Sequence, residues 1–318
     1  VTSPTGKGSI PEDHPLALGV VGSYGRRAVN EVVKDVDLVF FAASRAGDLT
    51  TDHYVTPRRG VRAVQLDINP SEVGRIYPVE VALVGDAKVT LAKMAAAAKP
   101  AGSGVSPWLR SAQERVATWC AETEPKMQSD AAPIRPERLC RELTEALPAN
   151  AVLVADTGHS SIWTSTLVSL NKPGQRFIRC MGTLGWALPG AIGAKCALPD
   201  RPVVCFAGDG ALFYHLSELE TAARHGIDVV VVVHNNSAFG QEKGLIAMLG
   251  EAGALGAEKE IYAFRPVNFA SIAEEMGCLG IRVEKPGEIK AALAQALAAN
   301  RPVLVDVVTD IDAMPAWS

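Results

Sequence analysis

The chain has 318 residues, enough for two domains of ordinary size. Hydrophobic residues make up 48% and charged residues 21%, with a formal net charge of −4 and an isoelectric point near 5.9. That balance excludes a basic stripe for nucleic acid, and no apolar run is long enough to span a membrane. The six cysteines (Cys120, Cys140, Cys180, Cys196, Cys205 and Cys278) are scattered and form no C-x-x-C pair. With no signal peptide at the start, they read as buried or incidental thiols of a reducing cytoplasm.

The first half has α/β character. Val36 to Phe41 is an apolar run broken only by Asp37, as in a buried parallel strand. Val61 to Ile68 reads as a second strand, and Val81 to Gly85 as a third leading into the alanine-rich helix Ala87 to Ala98. Asp67 ends a strand, where its carboxylate either accepts from a ribose or caps the next turn. Lys99 to Pro107 is a break of Gly, Pro and Ser, followed by a helix and a linker up to residue 134.

The second half alternates strands and helices. Strands are expected at Ala151 to Ala155, Val203 to Ala207, Val229 to His234 and Pro302 to Val308. Helices are expected at Pro136 to Leu147, Gly185 to Cys196, Leu216 to His225 and Ile289 to Ala299. The alternation implies α/β architecture with doubly wound parallel sheets.

The most informative segment lies here. Asp209 sits in a glycine turn, Gly208-Asp209-Gly210-Ala211, straight after an apolar strand. Asn235-Asn236 ends the next strand, and 236 − 209 = 27 positions separate the two ligand candidates. In a parallel sheet both strand ends lie at the carboxyl edge. A carboxylate, an amide oxygen and a backbone carbonyl suit a hard cation, and the glycines let backbone N–H groups approach a phosphate. Together they describe a magnesium-diphosphate site; taken alone, Gly-Asp-Gly is an ordinary strand-turn-helix with a surface Asp. Asp156-Thr157-Gly158-His159-Ser160-Ser161 also follows a strand and opens toward a helix, so it reads either as a capped helix start or as a phosphate loop. His159 is either an acid–base group or a plain hydrogen-bonding imidazole. His215, His225 and His234 have no zinc-ligand spacing and read as helix or strand-end residues.

The Gly-Asp-Gly and Asn-Asn run resembles the thiamine-diphosphate motif of the acetolactate synthase and 2-oxo acid decarboxylase superfamily. Further matches run along the chain. HPLALGVVGSYG, at His14 to Gly25, and QLDINPSEVGRIYPVEVALVGDAK, at Gln65 to Lys88, resemble its Rossmann-like middle domain. Met181-Gly182-Thr183-Leu184-Gly185 resembles its cofactor loop, although a tight turn entering a buried helix would look the same.

The resemblance implies a partial middle domain over 1–98, a linker over 99–134 and a diphosphate-binding domain over 135–318. It implies thiamine diphosphate and Mg2+, with Asp209, Asn236 and the Ala238 carbonyl as metal ligands. It places Leu184 as the prop that bends the cofactor, with Gly182 and Leu184 offering backbone groups to its ring. Thr157, Gly158, His159, Ser160, Gly208, Gly210, Ala211, Phe239 and Gly240 would line the cofactor. Ser44 to Asp48 matches the flavin-binding segment only loosely, so no FAD is expected.

The activity implied is decarboxylation of a 2-oxo acid, followed by protonation or transfer to a second carbonyl. Gln241-Glu242-Lys243-Gly244 departs from the acetolactate synthase pattern. A 2-hydroxyacyl-CoA lyase, a simple decarboxylase and a non-catalytic cofactor-binding or regulatory subunit are therefore the alternatives. The family's activating glutamate sits in a pyrimidine-binding domain that nothing here resembles. Because the chain starts at Val1, inside the expected middle domain, a second polypeptide or N-terminal fragment is expected to supply that domain. The active species would be a homo- or hetero-oligomer, at least a dimer of such pairs.

Overall fold

The computed structural model describes residues 1–99, 104–180, 182–249 and 258–315. Part of the break expected at Lys99 to Pro107, and Met181 of the glycine loop, lie outside the described residues. The described chain forms two compact units, one of Val1–Pro4 and Leu18–Glu122, the other of Thr5–Ala17 and Thr123–Pro315.

The first unit contains α1 (Arg27–Lys34), β1 (Leu38–Ala42), β2 (Arg62–Asp67), β3 (Val81–Val84), α2 (Ala87–Ala97) and most of α3 (Pro107–Met127). Its parallel sheet has the order β1-β2-β3. Val29, Val32 and Val33 recur at helical spacing on α1 and pack with Leu18, Val21 and Ala112. Asp67 Oδ1 accepts from the Asn69 N–H at 2.9 Å, which is the turn-capping arrangement.

The second unit begins with α4 (Pro136–Ala146), β4 (Val152–Ala155), α5 (His159–Leu167), β5 (Arg176–Arg179) and α6 (Ala187–Ala197). It continues through β6 (Val203–Gly208), α7 (Asp209–Tyr214), α8 (Glu218–Arg224), β7 (Val230–Asn235), α9 (Gly240–Leu249) and α10 (Glu258–Tyr262). It ends with α11 (Phe269–Glu275), β8 (Leu279–Val283), α12 (Ile289–Ala298) and β9 (Val303–Val308). Six parallel strands run in the order β5-β4-β6-β7-β9-β8. Every residue of β4, β6 and β7 is buried, as continuous apolar runs covered on both faces must be. Val203, Cys205 and Ala207 share one core with Val231 and Val233, beneath Leu188 and Ile192 of α6 and Phe269 of α11. Their spacing of two is the pleat of the sheet.

β5 and β8 are absent from the expected elements for one reason. Both are edge strands. RFIR is only half apolar and LGIRV carries a glycine and an arginine, so neither gives the continuous run of a central strand. The Thr5–Ala17 segment is pinned within the second unit by a buried ion pair. Lys7 Nζ lies 2.5 Å from Glu12 Oε2 and donates to the Ser165 carbonyl at 3.3 Å. Glu12 also accepts the Leu170 N–H at 2.9 Å.

Candidate metal and diphosphate site

The strand order reverses next to β4, because β5 lies on one side of it and β6 on the other. Such a switch point opens a crevice outside the carboxyl ends of the strands. The segments leaving β4, β6 and β7 there are Thr157–Ser160, Asp209–Ala211 and Asn236–Gly240.

Asp209 does not sit in a free glycine turn. It is the first residue of α7, with Gly208 as its N-cap in extended conformation (φ −83°). Space is short at both glycines, most of all at Gly210. A Cβ at Gly210 would lie 2.6 Å from the Phe239 ring, and one at Gly208 would lie 3.2 Å from His234 Nε2. Asp209 is 2% exposed, and its carboxyl is pushed up to about 7, first by burial. Only backbone N–H groups, of Gly210, Ser237 and Ala238, counter that shift.

The Ala238 N–H is the meeting point. It donates to Asp209 Oδ2 at 3.2 Å and to Asn236 Oδ1 at 3.1 Å. One carboxylate and one amide oxygen, from two strands, are thereby held around a single atom. Among the described residues, no cationic side chain offsets the burial of the Asp209 carboxylate. This donor set fits a small hard cation, which would restore the ionised form.

At the end of β4, Gly158 adopts φ +71°, which favours glycine. Thr157 Oγ1 is buried without a hydrogen-bond partner among the described residues, as a hydroxyl kept for an absent acceptor would be. Ser160 Oγ lies 2.8 Å from His234 Nε2. Burial, then the neighbouring His159, pushes the His234 imidazole down to about 3, so it is neutral at physiological pH. Burial likewise pushes His159 down to about 4. Its ring packs edge-on to Trp163 and against Gly240, where a Cβ would lie 2.7 Å from Nδ1. A neutral imidazole at that place keeps one N–H to donate and one nitrogen free to accept a proton.

The loop before α6 carries two positive-φ glycines, Gly182 (+81°) and Gly185 (+85°), with Leu184 between them. Leu184 Cδ2 lies 4.0 Å from the Cβ position of Gly158, so the two loops meet. Gly182 is exposed, with no atom within 4 Å of its Cβ position. Ala211 is buried, and its carbonyl lies 3.1 Å from the Cβ position of Gly185. Phe239 is committed to packing, 4.7 Å from the Phe264 ring.

Three residues that hold the site together are given no site role by the sequence. Asp156 accepts Thr157 N–H, Gly185 N–H and Ala187 N–H at 2.8, 3.0 and 2.9 Å, tying the end of β4 to the Leu184 loop. Its position, an acid directly after a buried strand, is the same signal that marks Asp209. His234 and Asn235 also shape the site, and both sit in the strand-end run HNN.

Residues 156–307 match the family described as thiamine pyrophosphate enzyme, C-terminal TPP binding domain. Residues 1–94 match thiamine pyrophosphate enzyme, central domain. The chain therefore belongs to the thiamine pyrophosphate enzymes, in their acetolactate synthase-like superfamily. It is 31% identical to a probable acetolactate synthase large subunit of Methanocaldococcus jannaschii, over 99% of this chain and 53% of that protein. It is 28% identical to the acetolactate synthase isozyme 3 large subunit of Escherichia coli, over 98% of this chain and 54% of that one. A putative thiamine pyrophosphate-containing protein of Bacillus subtilis is 30% identical over 97% of this chain and 51% of its own length. The chain spans about half the length of the curated relatives it matches.

Proposed function

We propose that this chain is the diphosphate- and magnesium-binding part of an enzyme of the acetolactate synthase type. Such an enzyme decarboxylates a 2-oxo acid, then protonates the remaining acyl group or transfers it to a second carbonyl. Residues 1–98 would belong to its middle domain, 99–134 to a linker and 135–318 to its diphosphate domain. One observation carries the reading: the oxygens of Asp209 and Asn236 share the Ala238 N–H at the switch-point edge, where burial leaves Asp209 in need of a cation.

When bound, thiamine diphosphate supplies the electron sink for decarboxylation. This chain's residues hold and shape it. Asp209, Asn236 and the Ala238 carbonyl would hold Mg2+, whose charge would anchor the diphosphate. Thr157, Ser160 and the first N–H groups of α5 bind phosphate oxygens. Leu184 would prop the cofactor, and His159 would offer it a hydrogen bond. No FAD is proposed for the middle domain.

The activating carboxylate is proposed to come from a pyrimidine-binding domain outside these residues. Support for such a partner is apolar surface on helices that start at the site. Phe213 and Tyr214 of α7 are 43% and 60% exposed, and Met248 of α9 is 66% exposed.

The test is retention of cofactor. Asp209→Ala is expected to abolish Mg2+-dependent retention of thiamine diphosphate while the metal-free melting temperature holds. Wild-type occupancy in that variant would sink the metal assignment. The chain alone, given cofactor and Mg2+, is expected to release no carbon dioxide from pyruvate or related 2-oxo acids; robust turnover would refute the need for a partner.

A further inference from the structure

Asp306 lies in β9, opposite Val233 of β7 and Arg282 of β8, and is 0% exposed. A carboxylate so deep in a sheet is retained only if its oxygens are fully used. Oδ1 accepts from Asn235 Nδ2 at 2.9 Å. Oδ2 accepts from the Phe269 N–H at 2.8 Å and from Arg282 Nη1 in a shorter contact. Two of these three donors share a second acceptor, the Val267 carbonyl, at 2.9 Å from Asn235 Nδ2 and 3.2 Å from Arg282 Nη1.

This arrangement fixes the Asn235 amide. Both of its N–H bonds are spent on a carboxylate and a carbonyl, so turning it over would set its oxygen against two acceptors. Its Oδ1 must therefore face the Ser237 N–H, which it meets at 3.3 Å. Ser237 is held at φ +57°, a left-handed conformation unusual for serine. That bend aims the Ala238 N–H at Asp209 and Asn236.

We propose that Asp306 and Arg282 are positioning residues for the metal turn. They lock Asn235, and Asn235 locks the bend that presents Asn236 and Ala238 to the cation before the cation arrives. The inference rests on the magnesium-diphosphate reading of the site and deepens it. The two asparagines then have separate tasks: Asn236 faces the metal, and Asn235 faces the sheet.

The experiment uses the full chain with saturating thiamine diphosphate and Mn2+ as a paramagnetic probe in place of Mg2+. Free Mn2+ is followed by electron paramagnetic resonance. Asp306→Asn is expected to weaken Mn2+ binding by about ten- to a hundredfold, the usual effect of losing an outer-shell partner. Arg282→Gln should act in the same direction, and Arg282→Lys should recover most of the affinity. In the metal-free chain, amide hydrogen exchange across residues 235–239 should quicken in Asp306→Asn and Arg282→Gln. A purely structural role would lower the melting temperature and leave Mn2+ affinity of the folded chain unchanged. If the wild-type chain takes up no Mn2+, the metal reading itself fails. If the wild type binds and both variants bind as tightly, with unchanged exchange at 235–239, the positioning inference alone fails. Should Asp306→Asn not fold, Arg282→Gln on the edge strand carries the same decision.

Discussion

The two parallel sheets use the same local rules and reach different ends. In the six-stranded sheet, β4, β6 and β7 are buried throughout, and α5 has no exposed residue. In the three-stranded sheet, β1 and β3 are mostly exposed and α2 buries nothing. Leu38, Val81, Val84 and Val89 are 45%, 47%, 59% and 54% exposed, though their sequence reads as core. A parallel sheet is stable with both faces covered. The larger sheet meets that condition with its own helices, so its strand ends form a fixed platform for the proposed metal turn. The smaller one, in these residues, does not. Apolar pattern shows that a face wants covering; it does not show whether the cover lies in the same stretch of chain.

The sharpest way to break this contrast is a matched pair of truncations. Phe206 is 0% exposed in β6 and Phe40 is 36% exposed in β1. Phe206→Ala is expected to cost about 3–5 kcal/mol, the lost transfer energy plus a cavity. Phe40→Ala, made in this chain, should cost less than about 1 kcal/mol. Denaturant midpoints of the two variants check this. Equal losses would mean that the three-stranded sheet is as tightly packed as the six-stranded one.

A second prediction, on the order of 3 kcal/mol, concerns the buried platform and pH. The folded-state value of His159 is depressed from 6.5 to about 4 by burial. A depressed imidazole stabilises the fold above its unfolded value and loses that contribution as pH falls. Relative to His159→Gln, the wild type should hold a constant stability above pH 6.5 and lose ground between pH 6.5 and 4. His234 is common to both chains and cancels to first order. A difference that stays flat down to pH 4 would show that His159 reaches water and is not part of a dry platform.

Much of this platform was legible in the residues, and the omissions have physical causes. The central strands announce themselves as VVCFA and VVVV because burial on both faces demands unbroken apolar runs. Edge strands need only half of that, so β5 and β8 stayed hidden. The Asp209–Asn236 spacing marks two strand ends, and the fold brings their oxygens to one N–H. The supporting acids are harder to read. Asp306 sits inside an otherwise apolar strand, VLVDVV, where a single acid looks like an irregularity. Its meaning depends on Asn235, Arg282 and Phe269, which lie 71, 24 and 37 positions away. No local pattern carries that information. The segment Thr5–Ala17 is similar, since its anchor to Ser165 spans 158 positions.

The smallest expected effect belongs to Leu184, and it separates two uses of the same side chain. Leu184 stands between two positive-φ glycines, on a loop that Asp156 ties to the end of β4. It is half-buried, and its Cδ2 lies 4.0 Å from where a Cβ on Gly158 would stand. A core residue would be enclosed on all sides, and its truncation would damage the fold. A prop against a bound cofactor would leave the fold intact and change the shape of what is bound. Leu184→Ala is therefore expected to leave the melting temperature of the metal-free chain within a degree or two, because little packing is lost. Cofactor affinity should fall only slightly, since the diphosphate and its metal supply most of the binding. Turnover per bound cofactor, measured with the proposed pyrimidine-binding domain supplied, should fall about tenfold, or about 1.4 kcal/mol in the barrier. Affinity and turnover must be measured separately, on the same preparation. If affinity collapses while turnover per bound cofactor stays normal, Leu184 is packing for the diphosphate loop, and the bend of the cofactor is set elsewhere.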